Sequence, residues 1–157
     1  MVMRLSALLV TLVMVILLSL GVLSLTEKQI PSGLMVGKEI SSPSDWVKEN
    51  QIKVYPDSVI LNIPQSSWAS FTDTNSMDPF IDAGANAIQI KPLPGQVGVG
   101  DVIAYHSTSG TIIHRVIERG IDENGIFYLV KGDNNASPDS MKVRDDDIVG
   151  VVVAVVY

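Results

Sequence analysis

A serine hydroxyl attacks a carbonyl only when a base takes its proton, and an imidazole serves as that base best when a carboxylate fixes its tautomer. Three segments of this 157-residue chain carry the required residue types, in the order Ser, His, Asp. The first is Thr74-Asn75-Ser76-Met77-Asp78-Pro79, where Ser76 stands three residues before a proline, at a point where an extended segment turns. Serines in such places are also ordinary turn residues. The second is Thr111-Ile112-Ile113-His114-Arg115-Val116-Ile117. Strand alternation places Ile112, His114 and Val116 on one face and Ile113, Arg115 and Ile117 on the other. On that aliphatic face His114 reads either as a hydrogen-bonded core histidine or as a general base titrating near neutral pH. The third is the polar loop Lys131-Gly132-Asp133-Asn134-Asn135-Ala136-Ser137-Pro138-Asp139. It reads as a solvated turn, with Asp133 and Asn134 bonding their own backbone, or as a source of carboxylates. A calcium loop is excluded: the sixth position from Asp133 is Pro138, not Gly, and the twelfth is Arg144, not Glu.

The chain has two histidines, so the base is His114 or His106. His106 lies in Tyr105-His106-Ser107-Thr108-Ser109-Gly110, which reads as a hairpin loop too mobile to hold a catalytic hydrogen bond, so His114 is preferred. There is no Gly-x-Ser-x-Gly elbow, and the order Ser-His-Asp differs from those of the α/β-hydrolases, chymotrypsin and subtilisin. The absence of cysteine excludes disulfide frameworks, thiolate zinc sites and cysteine nucleophiles. A net charge of −6 argues against a nucleic-acid partner.

The elements that must position these groups are strands. Ser58–Ile63, Ala87–Lys91, Asp101–Tyr105, Thr111–Ile117, Gly125–Val130 and Ile148–Val156 are β-branched or apolar runs bounded by Gly, Pro, Asn or Asp. Glu123-Asn124-Gly125 reads as a hairpin turn. The Val-rich run at 148–156 is too short to cross a bilayer and reads as a buried strand. Before the strands, Ser44 followed by Asp45-Trp46-Val47-Lys48-Glu49 reads as an N-cap and a short helix, with Trp46 either at a membrane interface or in a groove of the domain.

Leu5–Leu25 is a run of 21 residues without a charge, preceded by Arg4. At 1.5 Å per residue it spans roughly 30 Å, a bilayer's hydrocarbon thickness. A cleaved secretory signal with Ser19-Leu20-Gly21 as its exit competes with an uncleaved anchor. The run exceeds a signal's usual length and continues past that exit, which favours the anchor. Arg4 and the free amine keep the N-terminus cytoplasmic, so the rest is extracytoplasmic. The expected organisation is therefore a cytoplasmic N-terminus at 1–4, a transmembrane anchor at 5–25, a juxtamembrane connector with a short helix at 26–52, and a β-rich domain at 53–157.

Four ordered motifs then carry a resemblance: Ser76-Met77-Asp78-Pro79, Gly100-Asp101-Val102-Ile103, Ile112-Ile113-His114-Arg115-Val116, and Lys131-Gly132-Asp133-Asn134-Asn135 with Asp139 behind. Over roughly residues 70–150 the chain resembles the signal peptidase I family, and most of all its archaeal and endoplasmic-reticulum branch. The bacterial branch has a lysine base where this chain has His114. Lys91 and Lys131 do not lie at the matching position and read as strand-end residues. The resemblance implies a mainly β fold, with an antiparallel β catalytic core preceded by one N-terminal transmembrane helix.

Carried over residue by residue, it implies that Ser76 is the nucleophile, His114 the base, Asp139 the carboxylate orienting that base, and Asp133 a supporting acid. The Ser76 N–H and the Thr74 hydroxyl are then the oxyanion donors. No cofactor or metal is implied. The implied partners are secretory preproteins, cut after small residues, and the lipid bilayer; whether partner subunits exist is left open. Asn75 departs from the family, which more often has Gly before the nucleophile, and the connector 26–66 has no counterpart. Two alternatives stand beside this reading: a non-catalytic, membrane-tethered β-domain that binds a peptide or assembly partner, and a related peptidase dedicated to one specialised substrate.

Overall fold

The computed structural model describes residues 40–157; the expected anchor at 5–25 lies outside the described residues. Eight strands follow one another: β1 Ile52–Val54, β2 Val59–Leu61, β3 Ser66–Ser70, β4 Asn86–Ile90, β5 Val102–Ser107, β6 Gly110–Asp122, β7 Gly125–Lys131 and β8 Ile148–Val156. β1 and β2 pair as a separate hairpin, and the other six form one sheet in the order β3-β4-β8-β5-β6-β7. Every pairing is antiparallel, as expected of a mainly β chain.

The apolar runs sit where burial is deepest. In β5, Val102, Ile103, Ala104 and Tyr105 are all buried, because both faces of the sheet are covered there. One face gathers Ile103, Tyr105, Val116, Tyr128, Val130 and Ile148, and the other gathers Met77, Ile81, Ala85, Ala87, Val102 and Val152. β8 is the buried strand its composition predicts, lying between β4 and β5. His114 pairs with Ile103 across the sheet, so it shares the first face with Ile112 and Tyr105. The alternation expected for β6 holds through Val116 and then breaks at a bulge, where Val116 pairs with Val130 but Glu118 with Leu129, leaving Ile117 exposed.

Three local expectations are corrected. Asp45–Glu49 is not a helix; the only helical turn in that region is the 3-10 segment Glu49–Gln51. Ser44 does not cap it, because the Ser44 N–H and hydroxyl both donate to Asp101, at 2.6 and 3.2 Å. The Trp46 indole donates to the same carboxylate at 3.0 Å, and its ring packs on the first core face, in keeping with the groove alternative. Gly100 lets this segment lie down: a Cβ there would stand 2.0 Å from the Ser42 carbonyl oxygen. His106 belongs to the end of β5 rather than to a loop, paired with Thr111 above a tight Thr108-Ser109 turn.

Candidate active site

Ser76 is half-buried at the start of the turn that follows β3. Asn75 before it has φ +54°, the left-handed region that asparagine and glycine enter at least cost. The departure from the family's glycine therefore leaves the backbone in a conformation glycine would also adopt. The Ser76 hydroxyl lies 3.2 Å from that of Thr74. Its carbonyl is held from the far side of the chain: Asn134 N–H donates to it at 3.0 Å, and the Asn134 side chain donates to the Asn75 carbonyl at 2.9 Å. Gly132 makes that approach possible, since a Cβ there would fall 2.4 Å from the Ser76 oxygen. Lys131 pins the same loop, its ammonium donating to the carbonyls of Gly132 and Asn135 at 2.9 and 2.6 Å. Lys91 donates to the Ile148 carbonyl. Both lysines thus serve backbone oxygens at strand ends.

His114 is buried in β6, and its Nδ1 lies 2.7 Å from Asp139 Oδ2. An Nδ1 facing a carboxylate carries the proton, which leaves Nε2 as the acceptor edge. Asp139 is placed by its own backbone, whose N–H donates to the Val130 carbonyl at 2.9 Å as the loop folds back on β7. The same Asp139 oxygen accepts the phenol of Tyr105. Burial, that hydrogen bond and the adjacent carboxylate charge hold the Tyr105 phenol well above its usual range, so it stays a donor at any working pH. Sequence reasoning missed Tyr105; its only signal is a phenol in an otherwise aliphatic buried run, two residues from Ile103, which pairs with His114.

Asp133 goes elsewhere. It forms a two-pronged ion pair with Arg115, Nε to Oδ1 at 2.8 Å and Nη2 to Oδ2 at 2.7 Å, with both side chains nearly buried. Arg115 completes its contacts by donating to the Gly100 carbonyl at 2.9 Å and lying over the Phe80 ring at 5.3 Å. The expected supporting acid is therefore directed to Arg115, while Asp139 is the one bonded to the imidazole.

Ser76, Thr74 and His114 line one cleft of about 420 Å³. Ala69–Thr72 and Thr111–Ile113 line it as well, and Met77, Ile81 and Ala104 add apolar surface. The Ser76 hydroxyl and the carboxylate-bound imidazole of His114 thus line one cleft, but among the described residues the hydroxyl bonds to Thr74 and not to the imidazole.

This chain resembles the type I signal peptidases. Over 65 residues it is 46% identical to the signal peptidase complex catalytic subunit SEC11 of Eremothecium gossypii, covering 34% of this chain and 39% of that protein. Over 78 residues it is 30% identical to signal peptidase I W of Bacillus subtilis, covering 48% of this chain and 40% of that protein. The aligned regions thus span about two fifths of the length of each of these relatives. No family model matches the chain.

Proposed function

We propose that the chain is a membrane-bound serine endopeptidase that removes N-terminal signal peptides from secretory preproteins after small residues. The observation that carries this reading is the His114–Asp139 hydrogen bond on the wall of the cleft that holds Ser76. The resemblance to proteins named as signal peptidases supplies the substrate class.

In this reading His114 Nε2 takes the Ser76 proton as Oγ attacks the scissile carbonyl. Asp139 stabilises the imidazolium, with Tyr105 donating to the same carboxylate oxygen. The Ser76 N–H and the Thr74 hydroxyl receive the developing oxyanion. His114 then passes its proton to the departing amine, leaving an ester on Ser76, and water, deprotonated by the same imidazole, hydrolyses it. The segment 5–25 spans the bilayer with residues 1–4 cytoplasmic, so residues 53–157 work on the extracytoplasmic side, where enzyme and signal peptide share one membrane.

The test is cleavage of a model preprotein by the detergent-solubilised chain, beside Ser76→Ala and His114→Ala. Cleavage at a small-x-small site is expected, reduced by about 10³-fold or more in both variants. A folded wild-type chain that cleaves nothing, in detergent or in native membranes, overturns the reading in favour of a tethered binding domain.

A further inference from the structure

Asn134 follows Asp133 in the loop after β7 and is exposed, yet it makes two bonds to the serine turn. Its side-chain amide donates to the Asn75 carbonyl at 2.9 Å, and its backbone N–H donates to the Ser76 carbonyl at 3.0 Å. The peptides on either side of the Ser76 Cα are therefore held by one residue. Among the described residues the Asn75 carbonyl otherwise accepts only the Asp78 N–H, at a long 3.4 Å. The loop around Asn134 is itself tied down: Arg115 holds Asp133 in two prongs, and Lys131 donates to the carbonyls of Gly132 and Asn135.

The side-chain bond falls on a particular peptide. The Asn75 carbonyl and the Ser76 N–H belong to one planar unit, and in a trans peptide the two point opposite ways. Fixing the oxygen therefore fixes the direction of the N–H. That N–H donates to no acceptor among the described residues, so it is free to meet a ligand. Asn75 and Ser76 line the cleft and Asn134 is not among its lining residues, so the amide holds this peptide without occupying the cleft. Rotation of the peptide would turn the N–H away, and it would break the Asn134 bond. A carbonyl that accepts a hydrogen bond is also polarised, which makes its N–H the stronger donor.

We propose that Asn134 is a positioning residue for the oxyanion site: its amide aims the Ser76 N–H by holding the carbonyl of the same peptide. The inference rests on the peptidase reading above and adds a residue to that site. Its effect belongs to the transition state, because a full oxyanion draws on the N–H far more strongly than the substrate carbonyl does.

The test uses the full-length chain in detergent with Asn134→Ala and Asn134→Asp. Alanine removes the amide, and aspartate keeps its shape but brings no donor when ionised. Both variants retain the backbone N–H that meets the Ser76 carbonyl. With a model preprotein, kcat should fall by about tenfold or more in each, while KM stays within about twofold. The thermal midpoint should move by less than about 5 °C, the scale of one hydrogen bond. A peptide aldehyde ending in alanine gives the readout that packing alone would not move. The Ser76 oxygen adds to its carbonyl carbon, so the adduct sets its own oxygen in the oxyanion site. Its affinity should weaken by about the same factor as kcat/KM. Should one variant fail to fold, the other carries the same comparison. A kcat within about twofold of wild type in either folded variant, or a kcat loss that leaves the aldehyde's affinity unchanged, overturns the role of Asn134 and leaves the peptidase standing. A folded wild-type chain that cleaves nothing overturns the peptidase reading and this inference with it.

Discussion

Asp133 and Asp139 lie in one loop, six residues apart, yet they serve opposite faces of one strand. Asp139 reaches His114, and Asp133 reaches Arg115, the very next residue of β6. Because neighbouring side chains on a strand point to opposite faces, the loop can wrap β6 where β7 leaves it and bind it from both sides. The two bonds differ in kind. The Asp139 carboxylate holds an imidazole on the cleft and shares its oxygen with Tyr105. The Asp133 carboxylate is matched prong for prong to a guanidinium, a geometry suited to locking rather than to moving protons. One loop therefore divides its carboxylates between the imidazole on the cleft and the guanidinium on the other face of the strand.

That division can be broken by substitution. The largest effect is expected for Asp139→Asn, which keeps the shape but loses the charge that fixes the tautomer: kcat should fall by about 10³- to 10⁴-fold with the melting temperature little changed. Asp133→Asn should do the reverse. Leaving Arg115 buried with its carboxylate gone should cost about 3 kcal/mol in denaturant unfolding, with activity of the remaining folded fraction less affected than in Asp139→Asn. A thousandfold kcat loss in Asp133→Asn without loss of stability would refute the assignment.

Tyr105→Phe comes next, at about tenfold in kcat for one hydrogen bond to a charged group. An unchanged kcat in folded Tyr105→Phe would make Tyr105 a packing residue only. The smallest effect belongs to Asn75→Gly, which keeps access to φ +54° and should change stability by less than about 0.5 kcal/mol.

The strands that are continuous apolar runs were legible in the chain, because burial on both sheet faces demands such runs; β8 is the clearest. β3 was not, since Ser66-Ser67-Trp68-Ala69-Ser70 is an exposed edge strand with hydroxyls where β-branched residues would signal pairing. The helix expected at Asp45–Glu49 failed because local propensity lost to a distant group: Asp101, wholly buried, gathers the Ser44 N–H and hydroxyl and the Trp46 indole, and draws the segment out. The joining of His114 to Asp139 follows the residues the motifs singled out. The pairing of Asp133 with Arg115 depends on how the loop wraps β6, which spacing does not encode. Tyr105 was missed for a related reason, as it gains its meaning from Asp139, which a distant loop brings to it.

The sheet order carries a consequence for how the molecule comes into being. Among the described residues β8 is the last strand, yet it separates β3-β4 from β5-β6-β7. Ser76 lies between β3 and β4, and His114 lies on β6, so the hydroxyl and the imidazole belong to parts of the sheet whose strands pair only through β8, while Asn134 ties the Ser76 turn to the loop after β7. A ribosome delivers the serine and the histidine before it delivers β8, so a chain stopped short of Ile148 lacks the strand that joins their two parts into one sheet.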